Sequence, residues 1–247
     1  MKKHSGFTLI ELVVSMGIGM IILLLAVTSL NSASTGYGRN TDGISAEREA
    51  RAVLTQIAED LSKAVWHKDT VVEKGTEPRR RDKIGFLFLQ PADAQTEAEH
   101  IGDLCATVYY VADLATGGRE VRCLMRGFRG SEETFEAIRS DDVASLFDAV
   151  ESDEPISIGV LSFEVSPLER QEGGGWTDWI DQRTTDSDDP FASAPQGVKL
   201  RLVVARRELM AKLRASEDWD QSPLIPKPDL DNESKQVEVY EILHPFS

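Results

Sequence analysis

The chain has 247 residues, 41% of them hydrophobic and 28% charged, and its 27 basic against 42 acidic side chains give a net charge of −15. That length suits one membrane helix and one globular domain of about 180 residues. An acidic domain repels nucleic-acid phosphates and anionic headgroups, so no nucleic-acid partner is expected. The basic run Arg79-Arg80-Arg81 is a local exception and reads as a solvated loop.

The chain opens with Lys2-Lys3-His4-Ser5-Gly6-Phe7-Thr8-Leu9-Ile10-Glu11-Leu12, followed by an apolar run to Leu30. No charge lies between Leu12 and Val27. A helix over 7–30 would be roughly 36 Å long, enough to cross a bilayer. Glu11 sits just inside its start, where a carboxylate costs about 2.5–3.5 kcal/mol to insert, less near an interface. Lys2 and Lys3 put the N-terminus in the cytoplasm by the positive-inside rule. An ordinary secretory signal is shorter and ends in a small-residue cleavage site, which Ala26-Val27-Thr28-Ser29 matches poorly.

Gly6-Phe7-Thr8-Leu9-Ile10-Glu11 resembles the type III signal of type IV prepilins and type II secretion pseudopilins. The resemblance implies a cytoplasmic leader over 1–6, cut by prepilin peptidase between Gly6 and Phe7, and N-methylation of Phe7. It implies a transmembrane helix over 7–30, single-pass in the inner membrane, with the globular domain in the periplasm. Glu11 would then set register in assembly by pairing with the N-terminal ammonium of a neighbouring subunit, which neutralises both charges in low dielectric. The implied partners are other pilins or pseudopilins, the peptidase, an inner-membrane assembly platform and membrane lipid.

Next, Gly36, Gly38 and Gly43 crowd a polar stretch, so 31–43 reads as a kink or linker. Over 44–66, Ala50, Leu54, Ile57, Leu61 and Val65 recur at spacings of four, three, four and four residues, which predicts an amphipathic stem helix. A strand is predicted at 84–89, then a hairpin of strands 105–112 and 119–126 about Thr116-Gly117-Gly118. Ser140-Asp141-Asp142 suggests a helix cap, with the helix running to Ala149. Strands are predicted over 156–165, 197–207 and 236–243, with a helix over 208–215. The sum is an α+β, pilin-like fold, with the long N-terminal helix packed on an antiparallel sheet and 67–247 forming the strand-rich domain.

Within that domain the order of features is similar to the J-type minor pseudopilin of type II secretion or the W-type minor pilin. The residues that carry this are Arg48-Glu49-Ala50-Arg51 with Glu59-Asp60-Leu61, the strand Val160 to Val165, Trp176 with Trp179, and Ala194 to Leu200. The resemblance implies a minor subunit that helps to start assembly near a filament tip. A minor type IV pilin for adhesion or DNA uptake, with Trp176 and Trp179 as a binding surface, is the alternative.

No H-E-x-x-H, G-x-S-x-G, Walker or C-x-x-C pattern occurs, so no enzyme and no cofactor are expected. Cys105 and Cys123 lie in the two arms of the predicted hairpin. An oxidising compartment permits a bridge between them, and two free buried thiols are the alternative. The one metal candidate is calcium on the acidic loop Asp178, Asp181, Asp186, Asp188 and Asp189. Its spacing fails the EF-hand pattern, which favours a solvated loop.

Overall fold

The computed structural model describes residues 9–67, 69–76, 79–91, 102–179, 194–225 and 236–246, with the side chains at 11–12 and 31–47 outside that description. Helix α1 (Leu9–Ser62) is unbroken over 54 residues. It therefore runs through 31–43, where a kink or linker was expected. Stopping a helix and starting it again requires a second unfavourable nucleation, whereas each internal glycine costs only about 1 kcal/mol. The chain divides into two compact units, Met1–Ser45 and Ala46–Ser247.

In the first unit the apolar side chains of α1 are bare over 9–10 and 13–30, the described ones. Leu9 is 83% exposed, Ile10 73% and Leu23 66%.

In the second unit α1 buries the expected stripe of Ala50, Leu54, Ile57 and Leu61, widened by Val53 and Ala58. The helix stops at Ser62, short of the expected Trp66. Ala64 and Val65 instead form β1 (Ala64–Val65) opposite Phe88 and Leu87. The Leu89 amide also donates to the Lys63 carbonyl, so a sheet edge takes over the backbone groups where the helix ends.

Strand β1, β2 (Val71–Glu73), β3 (Lys83–Leu89), β4 (Leu104–Thr116), β5 (Arg119–Arg129) and β6 (Glu154–Ile158) make a six-stranded antiparallel sheet. Gly117 and Gly118, with φ of +59° and +78°, form the two-residue turn between β4 and β5. Strands β7 (Val160–Arg170), β8 (Trp176–Asp178), β9 (Gly197–Ala205) and β10 (Val237–Pro245) make a second sheet, in the order β10-β9-β7-β8. The single strand expected over 156–165 is therefore two strands in two sheets. Gly159, at φ +79°, is where the chain changes sheet.

Alternation along the strands sorts the core. Tyr109 and Cys105 of β4, Phe163 and Val165 of β7, and Leu200 and Leu202 of β9 join the stem stripe in one cluster. The other face of the first sheet packs under Ala137 of α2 (Ser131–Arg139) and under a 3-10 turn, Val143–Phe147. The helix expected from Ser140 to Ala149 is reduced to that 3-10 turn, and Ser140 instead caps the C-terminal end of α2, a helix not expected from the sequence. Glu132 and Glu133 occupy the first turn of α2 and Arg139 its last, which suits the helix dipole. The other face of the second sheet packs under Leu209 of α3 (Arg207–Met210) and Trp219 of α4 (Ser216–Gln221). A four-residue helix and a separate one from Ser216 replace the single helix expected over 208–215.

Candidate functional site

Two features stand out physically, the apolar start of α1 and a set of buried ion pairs in the domain. Val13–Leu30 is 18 residues long, and none of it is buried within the chain. At 1.5 Å per residue it spans about 27 Å, close to the hydrocarbon thickness of a bilayer. Its side chains are apolar on all sides, which suits lipid better than water. Thr28 satisfies its hydroxyl inside the helix, donating to the Leu24 and Leu25 carbonyls at 3.0 and 2.9 Å. Gly6 and Phe7 lie outside the described residues. The backbone of Glu11 belongs to α1, and its side chain lies outside the description.

The ion pairs link elements that lie far apart in the sequence. On the stem, Asp60 accepts from the Tyr109 hydroxyl and from Arg126 Nη2 at 3.0 Å, while Arg126 Nε donates to the Tyr109 oxygen at 3.1 Å. Burial, then the Asp60 charge, pushes the Tyr109 phenol far up. It therefore stays a neutral donor at physiological pH. On the opposite face, Arg129 Nη1 donates to Asp153 at 2.7 Å and the Tyr110 hydroxyl donates to the same carboxylate at 2.9 Å. Burial, then the bond to Asp153, pushes Tyr110 up to about 12. Burial alone would raise Asp153. Donors from Arg129, the Val150 amide and Tyr110 outweigh it and hold the carboxyl below its usual range.

The Arg79-Arg80-Arg81 run is not a solvated loop. Asp82, fully buried, accepts from the Gly75 and Val165 amides at 2.8 Å each and from Arg80. Arg79 donates to the Trp219 carbonyl at 2.6 Å, and Arg81 forms a parallel bridge with Phe163. The run therefore stitches the lead-in of β3 to β7 of the other sheet. Trp219 and Arg122, both fully buried, were also hidden from sequence reasoning. The Asp113–Arg122 pair was visible in principle, because those residues face each other across the hairpin.

Residues 1–27 match the family model of the prokaryotic N-terminal methylation motif. The chain carries a type IV pilin-like N-terminus. This motif implies processing by a prepilin peptidase and assembly with other pilins, and with the apolar helix it supports membrane anchoring. No curated protein matches the chain.

The remaining candidates separate. Cys105 and Cys123 are both free and buried. Cys105 faces Phe88, whereas Cys123 faces Ala112, seven positions further along β4. At about 3.4 Å per residue that is roughly 24 Å, far beyond the 7 Å Cα limit for a disulfide, so the expected bridge is not made. Burial, then the charges of Asp113 and Glu49, pushes the Cys123 thiol up to about 11. Of the calcium candidates only Asp178 is described, exposed on β8, and Asp181, Asp186, Asp188 and Asp189 lie outside the described residues. Among the described residues no three His, Cys, Asp or Glu side chains gather to hold a metal. Trp176 and Trp179 are both half-buried, and Trp176 lies over Gly197, where a Cβ would meet its ring at 2.9 Å.

Proposed function

We propose that the protein is a minor pseudopilin, a structural subunit of a periplasmic filament in a type II secretion-like system, of the J type or its W-type counterpart. The observation that carries this is the methylation motif over 1–27, joined to an apolar helix that nothing in the chain covers. Cleavage after Gly6 would free the amine of Phe7 four residues before Glu11. In lipid, an isolated carboxylate and an isolated ammonium are each costly, and one partner pays for the other only when they meet. A carboxylate from one subunit and the amine of the next then fix the stagger between neighbouring helices. The domain, with its ion pairs turned inward, acts as a rigid body displayed outside the membrane rather than as an enzyme.

The test is processing and incorporation in the native host. Mass spectrometry of the mature chain should find N-methylated Phe7 as the first residue. The Glu11→Val variant should be cut normally yet fail to enter filaments. A mature chain beginning elsewhere, or normal incorporation of the valine variant, would sink the reading. Co-purification with a secretion apparatus favours the pseudopilin role, and co-purification with a retractable pilus favours the minor pilin.

A further inference from the structure

The domain carries a second feature that does not depend on the N-terminal reading. At the tip of the β4–β5 hairpin lies a cleft of about 230 Å³ lined by Gly117, Gly118, Arg119, Ala211 and Arg214. Both arginines are exposed. Unlike Arg80, Arg122, Arg126 and Arg129, neither forms an ion pair within 4.0 Å among the described residues, although the Arg214 charge is felt by the Asp218 carboxylate.

The acids beside this cleft are otherwise engaged. Glu120 accepts from the Ser216 amide at 2.6 Å, and Asp218 accepts from the Arg214 and Ala215 amides at 2.9 and 3.1 Å. The walls are tied together. The Glu120 amide donates to the Arg214 carbonyl at 2.8 Å, and Trp219 Nε1 donates to the Glu120 carbonyl at 3.1 Å. Behind them Arg122 binds Asp113 of the hairpin and Asp220 of α4 at once. The backbone walls of the cleft are therefore fixed before binding, and the ordering cost falls on the two arginine side chains. On the open side, nothing lies within 4 Å of where a Cβ would sit on Gly117 or Gly118, so a backbone can approach closely.

We infer that this cleft docks a carboxylate-rich peptide segment of a partner protein, with Arg119 and Arg214 as paired guanidinium donors. Guanidinium groups bind carboxylates in a bidentate, charge-assisted way. The chain as a whole carries −15, so an acidic partner is repelled by the chain at large and depends on paired guanidinium contacts such as these to be held. That contrast fixes where and how the partner sits more than it raises raw affinity.

The experiment uses the full chain in nonionic detergent micelles and a fluorescein-labelled hexaglutamate peptide, read by anisotropy at about 0.1 M salt. Saturable binding is expected, weakened by at least about tenfold in Arg119→Gln/Arg214→Gln. Arg139→Gln removes one charge from an exposed site on α2 and should bind like the parent. Circular dichroism melting checks the fold of each variant. If the double variant melts early, Arg119→Gln alone is used, and it must still weaken binding several-fold. Absence of saturation, or an equal loss in Arg139→Gln, overturns the proposal. Displacement by inorganic phosphate at the peptide's own concentration also overturns it, because the cleft would then be a small-anion site.

Discussion

Replacing Arg122 by leucine tests whether the buried ion pairs, and not only apolar packing, hold the two sheets and their helices together. The Arg122 side chain is fully buried, with Nε 2.8 Å from Asp113 Oδ1 and Nη1 2.7 Å from Asp220 Oδ1. Its guanidinium carbon also lies 6.0 Å from the Trp219 ring centroid. Removing one member of a fully buried pair costs about 3–5 kcal/mol, because the remaining charge stays unpaired. Here the acids are 19% and 38% exposed and can recover some water, and Arg81 stays 3.7 Å from Asp220. The expected loss is therefore about 2–4 kcal/mol at neutral pH. For a domain of this size it would lower Tm by about 6–12 °C.

The pH dependence gives a second readout. Burial alone would raise the carboxyls of Asp113 and Asp220. Bonds from Arg122 outweigh burial in both, helped by Ser216 at Asp113, and hold both below the usual carboxylate range. A depressed carboxylate contributes stability that is complete above its ordinary value of about 3.9 and is lost as pH falls through the folded value. Without Arg122, only Ser216 at Asp113 and the Arg81 charge still oppose burial, and most of that contribution disappears. The gap between parent and variant should therefore be widest near neutrality and shrink below about pH 4. Melting of the full chain in micelles, followed by circular dichroism at both pH values, measures it. A neutral-pH loss under about 1 kcal/mol, or a gap that stays constant on acidification, would refute the reasoning.

Three further outcomes are expected. Gly85→Ala should destabilise the domain by about 1–3 kcal/mol in a denaturant titration, because the new Cβ would lie 2.5 Å from the base of the buried Phe147 ring. Native protein should show two thiols that resist iodoacetamide near pH 8 and react fully once unfolded, since both cysteines are buried and the Cys123 thiol is pushed up to about 11. Tyr109→Phe and Asp60→Asn should each lower stability, and their effects should fall short of adding by about 0.5 kcal/mol or more, because the two side chains share one hydrogen bond and both meet Arg126.

Periodicity made much of the fold legible. The stem stripe from Ala50 to Leu61 and the strands β3, β4, β5, β9 and β10 announce themselves by spacing, because burial on one face imposes it. Long-range pairing left weaker marks. The apolar run either side of Gly159 looks like one strand, since both halves are buried and only a single positive φ divides them. The arginine run at 79–81 looked solvated because its partners lie far away in sequence, Glu164 and Trp219 among them. At the N-terminus the legible part was chemical. Residues 1–27 match a methylation motif, and such a pattern needs no folded context to be visible.

The cysteine error shows how far a hairpin constrains the rest. Once Gly117 and Gly118 are the two central turn residues, Thr116 faces Arg119 and the facing residue numbers always sum to 235. The same rule puts Asp113 opposite Arg122, Tyr109 opposite Arg126 and Cys123 opposite Ala112. Cys105 and Cys123 sum to 228, so no unbulged two-residue hairpin at that turn brings them together. The register that forbids the bridge also creates the two cross-strand arginine pairs. A slip of β5 by one residue would turn Arg126 away from Tyr109 and Asp60 and carry Arg122 to the other face of the sheet, away from Asp113. Those pairs therefore act as register marks as well as ties, and the free thiols follow from the alignment that the ions select.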